Sequence, residues 1–160
     1  MLPSAHFFSG VAIFAIMNIF NVLPKSMAWL SLIIVCSVIP DLDIALSYLH
    51  RNLFTHTPFF WGVVVTLIIA ATNWSMWIIM PPIFFHLFLD TIDYGLMVTY
   101  PFSRKRYGLA LLGKDSASET KAVTSYWKEY LSNRRMLCAE FVILLVSLLL
   151  LIGVTVRGLF

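Results

Sequence analysis

Five stretches of this chain, about 5–23, 27–48, 57–73, 74–95 and 137–156, are apolar over nearly their whole length. A helix needs roughly 20 residues to cross a hydrocarbon core. Backbone polar groups left bare in lipid are so costly that only helices and closed barrels span it. The period-two alternation of a barrel strand is absent, so each stretch reads as a helix. Composition agrees: 60% of residues are hydrophobic and 12% charged, with a mean hydropathy of +0.88. Soluble domains carry about a quarter charged residues, and disorder requires the opposite composition. The expectation is an all-α, polytopic membrane protein with about five transmembrane helices, a single membrane-embedded helical domain over 1–160.

The first stretch has no Lys or Arg before Lys25 and no small-residue cleavage site after it, so it reads as a retained helix and not a signal peptide. Cys36 and Cys138 lie in apolar runs without CxxC spacing and make no disulfide framework. Short connections, NVLPKS and TNWS, join the first pair of stretches and the third to the fourth. Eight of the eleven basic residues fall in the long loop 101–136: Arg104, Lys105, Arg106, Lys114, Lys121, Lys128, Arg134 and Arg135. Arg51 lies on the same side, leaving Lys25 and Arg157 on the other. The positive-inside rule therefore puts the amino terminus and both larger loops in the cytoplasm, in a prokaryotic plasma (inner) membrane. Trp29, Trp74 and Trp77 then fall near outer helix ends, as interface anchors do.

Within the long loop, 116–135 has the pattern of an amphipathic helix before the last span (about 137–157). Ser116 and Glu119 have capping-box spacing, and Val123, Tyr126, Trp127, Tyr130 and Leu131 recur at helical intervals. Such a helix either lies on the inner leaflet with its cations on anionic headgroups or serves as a solvated linker. Its aromatics form one lipid-facing stripe and not a base-stacking platform, so membrane lipids are the expected partners and nucleic acid is not.

The chain's four histidines, His6, His50, His56 and His86, and four of its eight acids, Asp41, Asp43, Asp90 and Asp93, lie within or beside membrane segments. Ionisable groups are expensive there and mark functional sites by default. The topology came from Lys and Arg alone, yet it brings every one of these side chains to the cytoplasmic half. His86 and Asp90 are one helical turn apart, with Asp93 almost in line at i+7, a stripe rising ~10 Å. A His and a carboxylate at i, i+4 reach the same metal ion. Pro40 loosens the end of the second stretch, where Asp41 and Asp43 face different sides if helical and both turn inward if irregular. Thr55 and Thr57 flank His56 with hydroxyls able to hold its ring or a nearby oxyanion. As many as seven His and Asp side chains converge, whereas one divalent ion needs three or four, so one or two ions fit. Mixed N/O ligation without cysteine suits Zn first, with Mn, Fe or Mg as alternatives.

AHFFSG, PDLD, HRNLFTHT, HLFLDTIDYG and PFSRKRYGL, in that order, resemble the YdjM-like family of inner-membrane metal-dependent hydrolases over roughly residues 5–110. The resemblance implies His6, Asp41, Asp43, His50, Arg51, His56, His86 and Asp90 as functional positions. Ala5 stands where the family has Gly, and His50 and His56 are six apart instead of five. Asp93 occupies a position the family leaves uncharged. The reading that follows is a membrane-bound metal-dependent hydrolase with its site at the cytoplasmic leaflet. His6, Asp41, Asp43, His56, His86 and Asp90 hold metal, while Asp43, His50 and Arg51 serve catalysis. Arg51 and the 104–106 cations hold an anionic group, a phosphoester such as a lipid phosphate. The alternative is a small transporter or a proton or cation pathway through the same His and Asp residues, with Pro81 and Pro82 breaking the fourth helix.

Overall fold

The structure, a computed structural model, describes residues 3–45, 54–93, 95–109, 111, 128 and 130–156. Among these the chain is helical, with one isolated backbone bridge between Leu96 and Tyr107. The α-helices whose bounds the described residues give are α1 (Pro3–Ile19), α2 (Met27–Val38), α3 (Pro58–Ala71), α4 (Met80–Asp93) and α5 (Arg134–Val156). Three 3-10 segments, Ile39–Ala45, Phe54–His56 and Trp74–Ile79, extend α2 and lead into α3 and α4.

Local chemistry sets these boundaries. Helix α1 stops where Asn21 takes a left-handed φ of 55°, a conformation Asn tolerates better than most residues. Ser26 caps α2 by accepting from the Trp29 amide at 3.4 Å. Thr57 caps α3 by accepting from Phe60 N at 3.3 Å, with Pro58 in the first turn, where its missing N–H costs nothing. Asn133 caps α5 through the amides of Arg135 and Met136 at 3.0 and 3.3 Å. Pro81 and Pro82 fall in the first turn of α4 and do not interrupt it. They mark the change from 3-10 to α geometry, so no break of the transporter kind occurs there.

These caps and turns make several helices shorter than the apolar stretches that contain them. Among the described residues, two continuous helical segments are long and apolar enough to cross a membrane, Trp74–Asp93 and Arg134–Val156. Helix α1, at 17 residues, is about 26 Å long, and α3, at 14, about 21 Å. Of the predicted helix over 116–135, residues 116–127 and 129 lie outside the described residues, while 128 and 130–132 are helical, with Tyr130 buried and Leu131 exposed.

Helices α1 to α4 share a core in which Phe14, Ile33, Trp61, Val65, Ile83 and Leu87 interlock. Gly10 lets α1 approach α2 so closely that a Cβ there would lie 3.0 Å from Ile34 Cα, the small-residue contact common between membrane helices. Helix α5 packs mainly on α1, and Ala5, Leu89, Tyr130 and Met136 form a second cluster near that contact. The rest of α5 presents Phe141, Val142, Leu145, Leu149 and Ile152 outward, an apolar face far larger than a soluble surface carries.

Candidate metal centre

Proline explains where this site begins. Pro40 has no N–H to give, and the chain changes to 3-10 pairing at Ile39, so carbonyls in the last turn of α2 lose backbone donors. One of them, Ser37 O, takes the proton of His86 Nδ1 from α4 at 2.7 Å. A carbonyl only accepts, so this contact fixes the tautomer. In the neutral ring His86 Nε2 is a bare lone pair, and it faces Asp90 Oδ2 at 3.2 Å and Asp41 Oδ1 at 3.6 Å.

Two more histidines point at the same carboxylates. His6 Nε2, from α1, lies 3.2 Å from Asp90 Oδ1 and 3.6 Å from Asp41 Oδ2. His56 Nε2, from the turn before α3, lies 3.5 Å from Asp41 Oδ1 and 3.6 Å from Asp90 Oδ2. All five side chains are at most 4% exposed. One ligand atom from each of His6, Asp41, His86 and Asp90 lies within 4.8 Å of the other three; His56 falls outside this group of four and joins it through the two carboxylates. Donors placed 2.0–2.1 Å from a tetrahedral ion stand roughly 3.3 Å apart, and the 3.2–3.6 Å contacts here bracket that separation.

Electrostatics points the same way. Asp41 and Asp90 bring two negative charges together in a buried space, and neither Asp41 oxygen is in a hydrogen bond. The His6 and His86 rings are stacked with centroids 3.7 Å apart and 24° between planes, a contact two imidazolium cations would oppose. Imidazoles ligate a metal in their neutral form, so as ligands these histidines with the two carboxylates would carry a charge of −2, which matches a single divalent cation. The residues present therefore fit a metal ion, which relieves both the lone-pair opposition at His86 and the carboxylate charge.

Helix contacts hold these donors in place. His6 is one turn before Gly10, at the close α1–α2 crossing, and Ser9 Oγ donates to the His6 carbonyl at 2.7 Å. The Thr57 hydroxyl donates to Phe54 O at 2.5 Å and accepts from Phe60 N. It thus fixes the backbone around His56. Asp93, also fully buried, is not among the converging atoms. The Asp43 side chain, His50 and Arg51 lie outside the described residues.

Sequence reasoning did not single out Ser37, whose contribution is a backbone carbonyl; Pro40, three residues on, was the available signal. It also passed over Glu140, which accepts from the buried Tyr130 hydroxyl and from Ser4 Oγ at 3.2 Å, tying α5 to α1 two residues from His6. A lone acid in an otherwise apolar helix was the signal there.

A helical bundle with outward apolar faces, closed around a buried three-histidine, two-aspartate centre, defines a membrane protein with a metal-competent site. The chain belongs to the YdjM inner membrane protein family, whose family model matches residues 1–159. No curated protein and no solved structure matches it.

Proposed function

We propose that the protein is a multi-pass inner-membrane hydrolase dependent on one divalent metal ion, zinc by preference, with its site facing the cytoplasm. The observation that carries this reading is His86. Its Nδ1 is committed to Ser37 O, and its bare Nε2 is set against two buried carboxylates. A proton relay has no use for acceptors that face acceptors, whereas a ligand sphere is built that way. His6, Asp41, His56, His86 and Asp90 would hold the ion. The chemistry it supplies when bound is Lewis acidity toward a water molecule and an ester oxygen at neutral pH.

The five spans and the inward orientation rest on apolar length and on charge. The α1, α2 and α3 helices, with their capping turns, complete the bundle around the two longer segments. Arg104, Lys105, Arg106, Arg134 and Arg135 all flank the end at which α4 delivers Asp90. A site at that depth suits a lipid-linked phosphoester, whose scissile bond lies in the headgroup plane. In the rival cation pathway, polar groups should continue across the bilayer. Among the described residues, every buried His and Asp lies at this one end.

The test is release of phosphate from phosphoester lipids in nanodiscs. Zinc-dependent turnover should vanish in His86→Ala. Cation flux through proteoliposomes, with no ester cleaved and with the same sensitivity to His86→Ala, would instead establish the pathway.

A further inference from the structure

The segment after α4 turns back on the helix it leaves. Gly95 takes a left-handed φ of 78°, and a Cβ there would press on Tyr107 O at 3.0 Å. Leu96 and Tyr107 then exchange two backbone hydrogen bonds, at 2.8 and 2.9 Å. Gly108, at φ 139°, passes so near Thr91 O that a Cβ would approach it to 2.2 Å. These glycines clamp the returning strand to the last turn of α4, and the clamp decides where one side chain goes. Arg106 is brought half-buried to a narrow cavity of about 10 Å³ that it lines with His56, Asp90, Gly95, Leu96 and Met97, room for about one water molecule or one ligand oxygen. Its Nη1 is 3.5 Å from Gly95 O, within the same clamp.

Neighbouring cations are not so placed. Arg104 and Lys105 are exposed and line no part of the cavity, and Lys105 Nζ sits over the Tyr107 ring at 5.7 Å. Two walls of the cavity, Leu96 and Met97, are buried and apolar, so the charged groups a ligand meets there are Arg106 and the His/Asp centre. A guanidinium is a planar fork of five N–H donors that matches pairs of oxygens on one phosphorus.

We propose that Arg106 is the anion-binding residue of this site: beside the cavity shared with His56 and Asp90, its guanidinium pairs with a phosphate ester, one oxygen of which the cavity admits. The assignment rests on the metal-hydrolase reading and adds to it the side chain that selects the phosphoester. The phosphate has two sources, a lipid headgroup or a soluble phosphoester. The hairpin carries Phe102, 94% exposed, beside Arg104 and Lys105, the composition of an element lying among anionic headgroups.

Inorganic phosphate is the probe, titrated calorimetrically into zinc-loaded protein in phosphatidylcholine nanodiscs, with zinc content measured on the same samples. Arg106→Met should weaken phosphate binding at least tenfold with zinc per chain unchanged. Arg106→Lys should recover part of the loss, and Lys105→Met, which removes the same charge one residue away, should change affinity less than twofold. Zinc-replete wild type that binds no phosphate, Arg106→Met that binds it normally, or equal losses in Arg106→Met and Lys105→Met would each overturn the assignment. Wild type that holds no zinc would overturn the metal reading itself, and Arg106's role with it. Phosphatidylcholine discs doped with phosphatidic acid, with phosphatidylglycerol-doped discs as the charged control, separate the sources. Competition with phosphate in wild type, lost in Arg106→Met, identifies the headgroup; its absence identifies a soluble ester.

Discussion

Gly10→Ala should weaken metal binding although residue 10 touches no ligand atom. The added Cβ would lie 2.4 Å from Ser37 Oγ, 3.0 Å from Ile34 Cα and 3.1 Å from Ser37 Cβ. Carbon contacts become comfortable near 3.5 Å. Rotation of the Ser37 hydroxyl, at the loss of its 2.7 Å bond to Ile34 O, removes the first clash. The other two involve atoms that cannot rotate away, so α1 and α2 must part by about 0.5 Å, an overpacking strain of roughly 1–3 kcal/mol. That displacement falls where it does most harm. His6 is one turn away on α1, stacked on His86 at 3.7 Å, and the carbonyl of Ser37 holds His86. Ligand distances tolerate only about 0.2 Å, and disturbing the groups that orient ligands typically lowers metal affinity 10–100-fold. Zinc affinity measured by chelator competition should fall by that factor with helical circular dichroism unchanged, and Gly10→Ala/Ser37→Ala should regain part of it. Gly62→Ala is the control, since nothing lies within 4 Å of the Cβ it would add. Affinity within twofold of wild type for Gly10→Ala would refute the claim that this crossing sets the ligand positions.

Three further outcomes follow from the same contacts. Thr57→Ala removes the α3 cap and the tie to Phe54, and should cost about 1 kcal/mol in thermal unfolding while loosening His56 and weakening zinc binding. Tyr130→Phe leaves Glu140 without the buried phenol and should lower Tm by the equivalent of roughly 1.5–3 kcal/mol, with zinc stoichiometry intact; an unchanged Tm would show that this bond does not anchor α5. Metal retention should fall on acidification, because imidazoles ligate a metal only when deprotonated and protons compete with the ion for their nitrogens. Equilibrium dialysis across pH 5–8 reads that loss, and retention independent of pH would argue against histidine ligation.

Much of the site was visible in the residues themselves, because lipid makes each buried ionisable group conspicuous. The i, i+4 pair His86 and Asp90 needed only a helix to meet, and α4 supplies it. His6, Asp41 and His56 are distant in sequence, and only the orientation of successive helices places them at one end. Helix lengths were less legible. Ser26, Thr57 and Asn73 act as caps within sequence that hydropathy alone runs together, and Pro40 converts the end of α2 to 3-10 geometry. What escaped were features with no side-chain signature: the carbonyl of Ser37, the Gly10 crossing, and a two-residue backbone pairing that singles out Arg106 from three adjacent cations. Such contacts depend on the final approach of elements, which periodicity does not encode.

The most direct test of the His/Asp centre is elemental analysis of the full chain, purified in mild detergent and loaded with zinc before exhaustive dialysis. One zinc per chain is expected in wild type and almost none in His86→Ala or Asp90→Ala, both still helical. A folded wild type that retains no divalent ion, or a His86→Ala variant that keeps a full equivalent, would contradict the account.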